Sequence, residues 1–339
     1  MAKTNVIFAC DESGAKGYAD QRESYPGEVG VFAGILVPQE LDATARPEFQ
    51  AIHDRYKSAN GKLHIADLPP DQQVALRQDV YTGIRKLHLP CFWYAIHVDG
   101  LNDWYLTQKE ISKDAKQAGL ASQQSSPQIK ANGDRDNPAS MHEELFAGLY
   151  ANLVAFLEER SQKEVSVEVR TDQIDSPIAK NFQEVANRLL SDAPLLETVT
   201  GWDTVTKEVV EGALKLVVTV PESMQIEVVV RNLMINIVRD GDGYILAADV
   251  LANSLNHLFR HRDHADLYSP LNQPAAIVKH PLADHLAAFR DWGHGDIIGD
   301  RLYSHPKGPM RCSTPTSAKS STHTTRTGDG DMKAQGRKQ

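Results

Sequence analysis

The chain has little that could tie it together covalently. Its 339 residues include three cysteines, Cys10, Cys91 and Cys312. They are odd in number and far apart, which excludes a disulfide framework and a cysteine-based zinc site. Long apolar runs are missing too. No stretch of about 18 apolar residues occurs, so no membrane-spanning helix is expected. No basic segment leads into an apolar core at the N-terminus, so no secretory leader is expected either. Positive charge is in deficit, with a formal net charge of −9. A protein that grips nucleic acid through its overall field is basic, so any contact with phosphates here must be local, through a basic patch or bound cations. The phosphate-cradling GxxxxGKS/T and dinucleotide GxGxxG patterns are absent, which leaves a nucleotide-driven motor or a dehydrogenase without support. Together these absences point to a soluble protein of a reducing cytoplasm, with no membrane contact.

What is present is an ordinary globular balance, 41% apolar and 24% charged, in a chain long enough for a sizeable core. "NVIFACD" (5–11) has the length and composition of a buried strand. Alternation along it puts Ile7, Ala9 and Asp11 on one face and Phe8, Cys10 and Glu12 on the other. "GVFAGILVP" (30–38) is a second strand, stopped by Pro38. Helices are expected over 45–59 and 71–87, with the loop "NGKLHIADLPP" between them, and "CFWYAIHVD" (91–99) is a third strand. Residues 114–139, polar and poor in aromatics, read as a mobile insertion. Residues 141–160 form the clearest amphipathic helix, with Leu145, Leu149, Leu153, Phe156 and Leu157 on one side. "EVSVEVRTD" (164–172) is a fourth strand ending on Asp172. A helix over 177–191 comes next, then β-rich runs at 214–220 and 226–232, a "DGDG" turn and a helix over 244–259. From 304 the chain turns rich in Ser, Thr, Gly and basic residues, and 304–339 is expected to be a disordered basic tail. Residues 1–303 are read as one domain.

The chemistry is in the acids. Asp11 closes the first strand, Asp172 closes the fourth, and Asp249 sits in a helix otherwise built of Ala, Leu, Val and Ile. A buried Asp in an apolar helix costs free energy unless something neutralises it. Three acids from separate elements, converging at one sheet end, suit hard divalent cations such as Mg²⁺ or Mn²⁺. Two such ions about 4 Å apart can activate a water and stabilise the leaving oxygen of a phosphodiester. Each acid also has a plainer reading. Asp11 and Glu12 are placed to cap a turn, Asp172 to begin an Asx-type turn, and Asp249 to pair with Arg231 or Arg239.

"CDESG" after an apolar strand, "AGILV" in the next, "KLHIADL", and the late "YILAADVLAN" together resemble the DUF3800 family. That family is similar to the ribonuclease H-like (retroviral-integrase-like) superfamily. The resemblance implies an α/β fold: a ribonuclease H-like mixed five-stranded sheet flanked by helices, with helical insertions. It also implies a metal-dependent, nuclease-like acidic site. Carried onto this sequence it marks Asp11, Glu12, Asp172 and Asp249 as catalytic, with Asp11, Asp172 and Asp249 holding Mg²⁺ or Mn²⁺. Asp11 would bridge two cations, with Asp172 on one and Asp249 on the other. His64 would position a water or a phosphate, and Glu143 or Glu144 occupies the place of a further acid. Leu246 stands where the family commonly has Gln, and Lys62 where an acid is common.

The function expected is a two-metal-ion nuclease that hydrolyses phosphodiesters of DNA or RNA, in phage or mobile-element defence. The alternative is a non-catalytic ribonuclease H-like subunit that binds nucleic acid or a partner protein in a larger complex; a homo-oligomer is a further option. A haloacid-dehalogenase-type phosphatase also ends its first strand on Asp, but its chemistry wants a second Asp two residues later, where Ser13 stands. His257, His261 and His264 fall at helical spacing, and with Arg260 and Arg262 beside them they read as a basic helix end suited to phosphate rather than as a metal site.

Overall fold

The computed structural model describes residues 4–58, 63–122, 129–131, 138–160, 164–172, 195–203, 205–216, 230–237, 241–286 and 303–309, with 180–182, 184, 186 and 187. Five strands make the central sheet: β1 (Thr4–Gly14), β2 (Val29–Pro38), β3 (Cys91–His97), β5 (Val165–Thr171) and β8 (Val230–Ile237). Their order across the sheet is β3-β2-β1-β5-β8. β1 pairs antiparallel with β2, and β2 antiparallel with β3. β1 pairs parallel with β5, and β5 parallel with β8. The sheet is therefore mixed and open.

Both faces of β2 and of the edge strand β3 are covered, which is why they read as continuous apolar runs. On one face Ile7, Ala9, Val31, Ala33 and Ile35 pack under α1 (Gln39–Tyr56), α2 (Pro70–Leu87) and α5 (Gly243–Arg260). On the other, Phe8, Cys10, Phe32 and Phe92 pack under α4 (Met141–Arg160). The alternation of β1 thus assigns its odd positions to one core and its even positions to the other.

Several boundaries differ from expectation, each for a physical reason. α1 begins at Gln39, well before residue 45, and runs through Pro47. An interior proline is a strong sequence signal against a helix, and acidic Glu40 and Asp42 in the first turn offset it by favouring the helix N-terminus. The polar stretch 114–139 is not wholly an irregular insertion: α3 (Val98–Ser122) continues to 122, and 129–131 form β4 (Ile129–Ala131). Residues such as Ala, Lys and Gln are good helix formers whatever their polarity. β6 (Leu195–Asp203) pairs antiparallel with β7 (Val209–Leu216) and with β4, making a separate three-stranded sheet. Of the two expected β-rich runs, 217–229 lies outside the described residues. The helix expected over 177–191 is seen where residues 180–187 are described.

The chain divides into one unit of Met1–Pro309 and another of Met310–Gln339. The expected tail therefore begins later than 304. Tyr303 and His305 are buried, and Tyr303 is hydrogen-bonded to Glu144. The rest of that tail, Cys312 included, lies outside the described residues. Among the described residues no helix is long and apolar enough to cross a membrane.

A test of the α4 packing lies at Gly148. Gly to Ala in a helix interior ordinarily gains about 1 kcal/mol. Here an added Cβ would run into the ring of buried Tyr94. Overpacking of that kind costs about 1–3 kcal/mol, so Gly148→Ala should lower stability in urea unfolding despite its better helix propensity.

Candidate functional site

The parallel ladder between β1 and β5 ends with Cys10 beside Thr171. The next residue on each strand is an aspartate, Asp11 and Asp172. Asp11 therefore does not close β1, which goes on pairing with β2 as far as Gly14; it is the β1–β5 pairing that stops there. Side chains level with each other on parallel neighbours share a face, so both carboxylates lie on the α5 side. Crevices beyond the carboxyl ends of parallel strands are where open α/β sheets bind ligands. α5 crosses this end, capped by Asp242, whose carboxylate accepts from the Tyr244 amide at 2.7 Å. Nearly every other side of α5 is buried, and Asp249 faces the opening.

The result is an open cleft lined by Asp11, Asp172 and Asp249 with His53, His64, Leu63, Gly241, Asp242, Ile245 and Leu246. Leu63 and His64, from the loop before α2, line it. The Ile65 amide donates to Asp249 Oδ2 at 2.8 Å, and Ile65 itself is fully buried. His64 reaches across the acids, with Nε2 3.7 Å from Asp172 Oδ2 and Nδ1 3.9 Å from Asp249 Oδ2.

The electrostatics are those of an under-compensated acidic site. Asp11 is buried, and among the described residues it has no salt bridge; its Oδ1 accepts from the adjacent Glu12 amide. Burial, then the charges of Glu12, Asp249 and Asp172, push its carboxyl well above the usual range. Burial also pushes Asp249 up to about 6, with Asp172 and Asp67 adding to the shift and the Ile65 amide and His64 opposing it. Oxygen donors that repel one another in a cleft open to solvent fit a hard cation, which would supply the missing positive charge. Among the described residues of the cleft, no three donor atoms lie all within 4.8 Å of one another, so holding an ion requires the side chains to draw inward.

Of the residues singled out in the sequence, Asp11, Asp172, Asp249 and His64 come together. Glu12 does not. The strand stays regular through it, so it points to the α4 side, where Lys16 Nζ donates to it at 2.8 Å and His142 Nε2 stands 3.0 Å away. Burial alone would raise its carboxyl, but His142 and Lys16 outweigh that and hold it at about 2. Glu143 accepts from Asn181 and Glu144 from Tyr303. Neither lines the cleft. The side chains of Arg231 and Arg239, and Lys62 as a whole, lie outside the described residues. Leu246, where the resembled family commonly has Gln, is buried in the cleft wall.

Sequence reasoning misses His53 and Asp242. His53 looks like an ordinary helix residue of α1, and nothing local marks a side chain whose cleft neighbours are up to 196 residues away. Asp242 lies in the "DGDG" turn and is held by Arg170 at 3.0 Å.

Two other clusters have chemically suggestive members. Glu23, Asp99 and His305 bring donor atoms within 4.8 Å of one another. Their capacity is already taken. His305 Nδ1 accepts from the Lys307 amide at 3.0 Å, which leaves the ring proton on Nε2, facing Glu23 at 3.2 Å. Lys307 and Arg22 stand near Glu23 and Asp99. Ser254 and His280 meet at 2.8 Å. His280 Nδ1 accepts from the Leu282 amide, so the ring proton again sits on Nε2 and the imidazole cannot take a proton from the serine. Comparison with family models, curated proteins and solved structures returns no match to this chain.

Asp249 holds a proton in the folded protein at pH values where the unfolded chain, near an ordinary pKa of about 3.9, has lost it. The stability this gives is fully present below about pH 4 and is lost as pH rises through about 6. Raising the carboxyl from about 3.9 to about 6 is worth about 3 kcal/mol. In EDTA, Asp249→Asn should therefore gain stability relative to the parent, by up to that amount, between pH 4 and pH 7. Urea unfolding at both pH values checks it.

Proposed function

We propose that this chain is a metal-dependent nuclease-like protein of the ribonuclease H-like, DUF3800 type, hydrolysing phosphodiesters of nucleic acid. The observation that carries the proposal is the meeting of Asp11, Asp172 and Asp249 in one cleft, from two strands and a helix far apart in the chain. A mixed five-stranded sheet with helices on both faces agrees with the fold the resemblance implies.

Asp11, Asp172 and Asp249 would hold Mg²⁺ or Mn²⁺. When bound, such ions lower the pKa of water and neutralise charge on a phosphodiester. The chain's own residues then have definable tasks. Asp11 is set centrally, in a strand fixed by neighbours on both sides, so its carboxylate is the least free to move. Asp172 lies just past the end of its strand and is half-exposed, so it can adjust. The Ile65 amide orients Asp249 by occupying one of its oxygens. Leu63, Ile245 and Leu246 give the cleft an apolar wall that limits water. Phosphate contact stays local, as the acidic total charge demands. His257 and His261 stack at 4.1 Å near the end of α5, beside Arg260, and form the basic helix end suited to a phosphate.

A second reading, a non-catalytic binding subunit of a larger complex, is favoured by one observation: Leu246 puts an apolar side chain in the cleft wall where the family commonly has a polar amide. Cleavage assays separate the two. With labelled DNA and RNA and added Mn²⁺ or Mg²⁺, the parent should cleave. Asp11→Asn should reduce cleavage at least about a hundredfold, with its thermal midpoint no lower than the parent's. Undiminished turnover by that variant would remove the assignment, and binding without cleavage by the parent would select the second reading.

A further inference from the structure

Among the described residues, His64 is the cleft's one nitrogen-bearing side chain placed between two of its acids, and its setting goes beyond positioning a water or a phosphate. The loop that carries it is pinned immediately after it, by buried Ile65 and the hydrogen bond from the Ile65 amide to Asp249. The ring itself is half-exposed, so an arriving ion can reach it. Nε2 looks toward Asp172 at 3.7 Å and Nδ1 toward Asp249 at 3.9 Å. Two ligands each about 2.1 Å from one ion stand about 3–3.5 Å apart. The Nε2–Asp172 separation thus needs to close by only a few tenths of an ångström. The other nitrogen faces the Asp249 carboxylate at 3.9 Å, outside hydrogen-bond reach, and has to close by about 1 Å before its N–H can donate to the acid, as the second N–H of a ligating imidazole usually does to fix tautomer and ring orientation.

Independent support comes from Asp11. It is more than nine-tenths buried, lines the same cleft, and has no salt bridge among the described residues. We infer that His64 Nε2 and Asp172 form the nitrogen–oxygen half of the cation site, with Asp249 orienting the imidazole through Nδ1, so that the site takes a transition-metal ion in preference to Mg²⁺. This rests on the reading of the cleft as a cation site. Imidazole binds Mn²⁺, Co²⁺ and Zn²⁺ with rising affinity, Mn²⁺ being the hardest of the three, whereas Mg²⁺ keeps to oxygen ligands and its own waters. His53, the cleft's other imidazole, is turned to different partners: its Nδ1 is 3.5 Å from Asp54 Oδ1 and from Gln50 Nε2.

The test uses the full chain and Mn²⁺ alone. Mn²⁺ binding is followed by electron paramagnetic resonance, and ligation by the electron-spin-echo coupling of imidazole nitrogen. The parent should bind Mn²⁺ and show that coupling. His64→Gln should lose the coupling and weaken Mn²⁺ binding about tenfold, while Mg²⁺ affinity, read by competition, changes by less than about threefold. His53→Gln should keep the coupling. Mn²⁺ bound through oxygen alone, or a nitrogen signal that survives in His64→Gln, overturns the inference and leaves the acidic site standing. Failure of the parent to bind Mn²⁺, or binding undiminished in Asp11→Asn, overturns the cation reading itself.

Discussion

Two carboxylates are forced to be neighbours where the β1–β5 ladder stops. Their spacing is set by sheet hydrogen bonds, not by attraction between them, since like charges in a partly dry cleft repel. The surroundings respond to that constraint. α5 brings a third acid instead of a base. The amide of Ile65 and the ring of His64 offer partial positive charge, enough to orient Asp249 and too little to neutralise the group. Burial first, and then this shortage, push the carboxyls of Asp11 and Asp249 above their usual range. A fold that wanted only stability would put an arginine or an aliphatic residue there.

The pleat of β1 sorts two adjacent acids into opposite situations. Asp11 faces other acids, and its carboxyl is pushed up. Glu12, one residue on, faces His142 and Lys16, and its carboxyl is held down. One peptide unit separates a charge the structure satisfies from one it leaves unsatisfied. The contrast is informative because both residues are acidic and comparably buried. Only the direction of the side chain differs, and that is set by a period of two.

The strand cores are legible in the sequence because they are buried on both faces, and continuous apolar runs such as "GVFAGILVP" have few alternative explanations. Asp249 is legible because an acid among Ala, Leu and Val has no local justification. A helix over 45–59 is legible, but the start of α1 at Gln39 is hidden by Pro47. The β6–β7 hairpin is hidden because its residues alternate weakly and its partner strand β4 is only three residues long. The role of Glu12 hinges on whether the strand stays regular past Asp11, and the pairing with β2 decides that. His53 carries no signal at all, since what makes it notable is the cleft and not the helix it belongs to. Glu23 and His305 meet from opposite ends of the described chain, a separation no local pattern spans.

The way α5 carries Asp249 divides the chain into parts that differ in their tolerance of changes in length. Each residue added to a helix rotates every later position by about 100°. One residue inserted between Tyr244 and Asp249 would turn the carboxylate into the core and an alanine or valine into the cleft. The β6–β7 hairpin is under no such restriction. It belongs to a separate sheet, so it can lengthen or shorten while the register of the central strands stays fixed. Among homologous chains, insertions and deletions should gather there and be missing from the first turns of the helix.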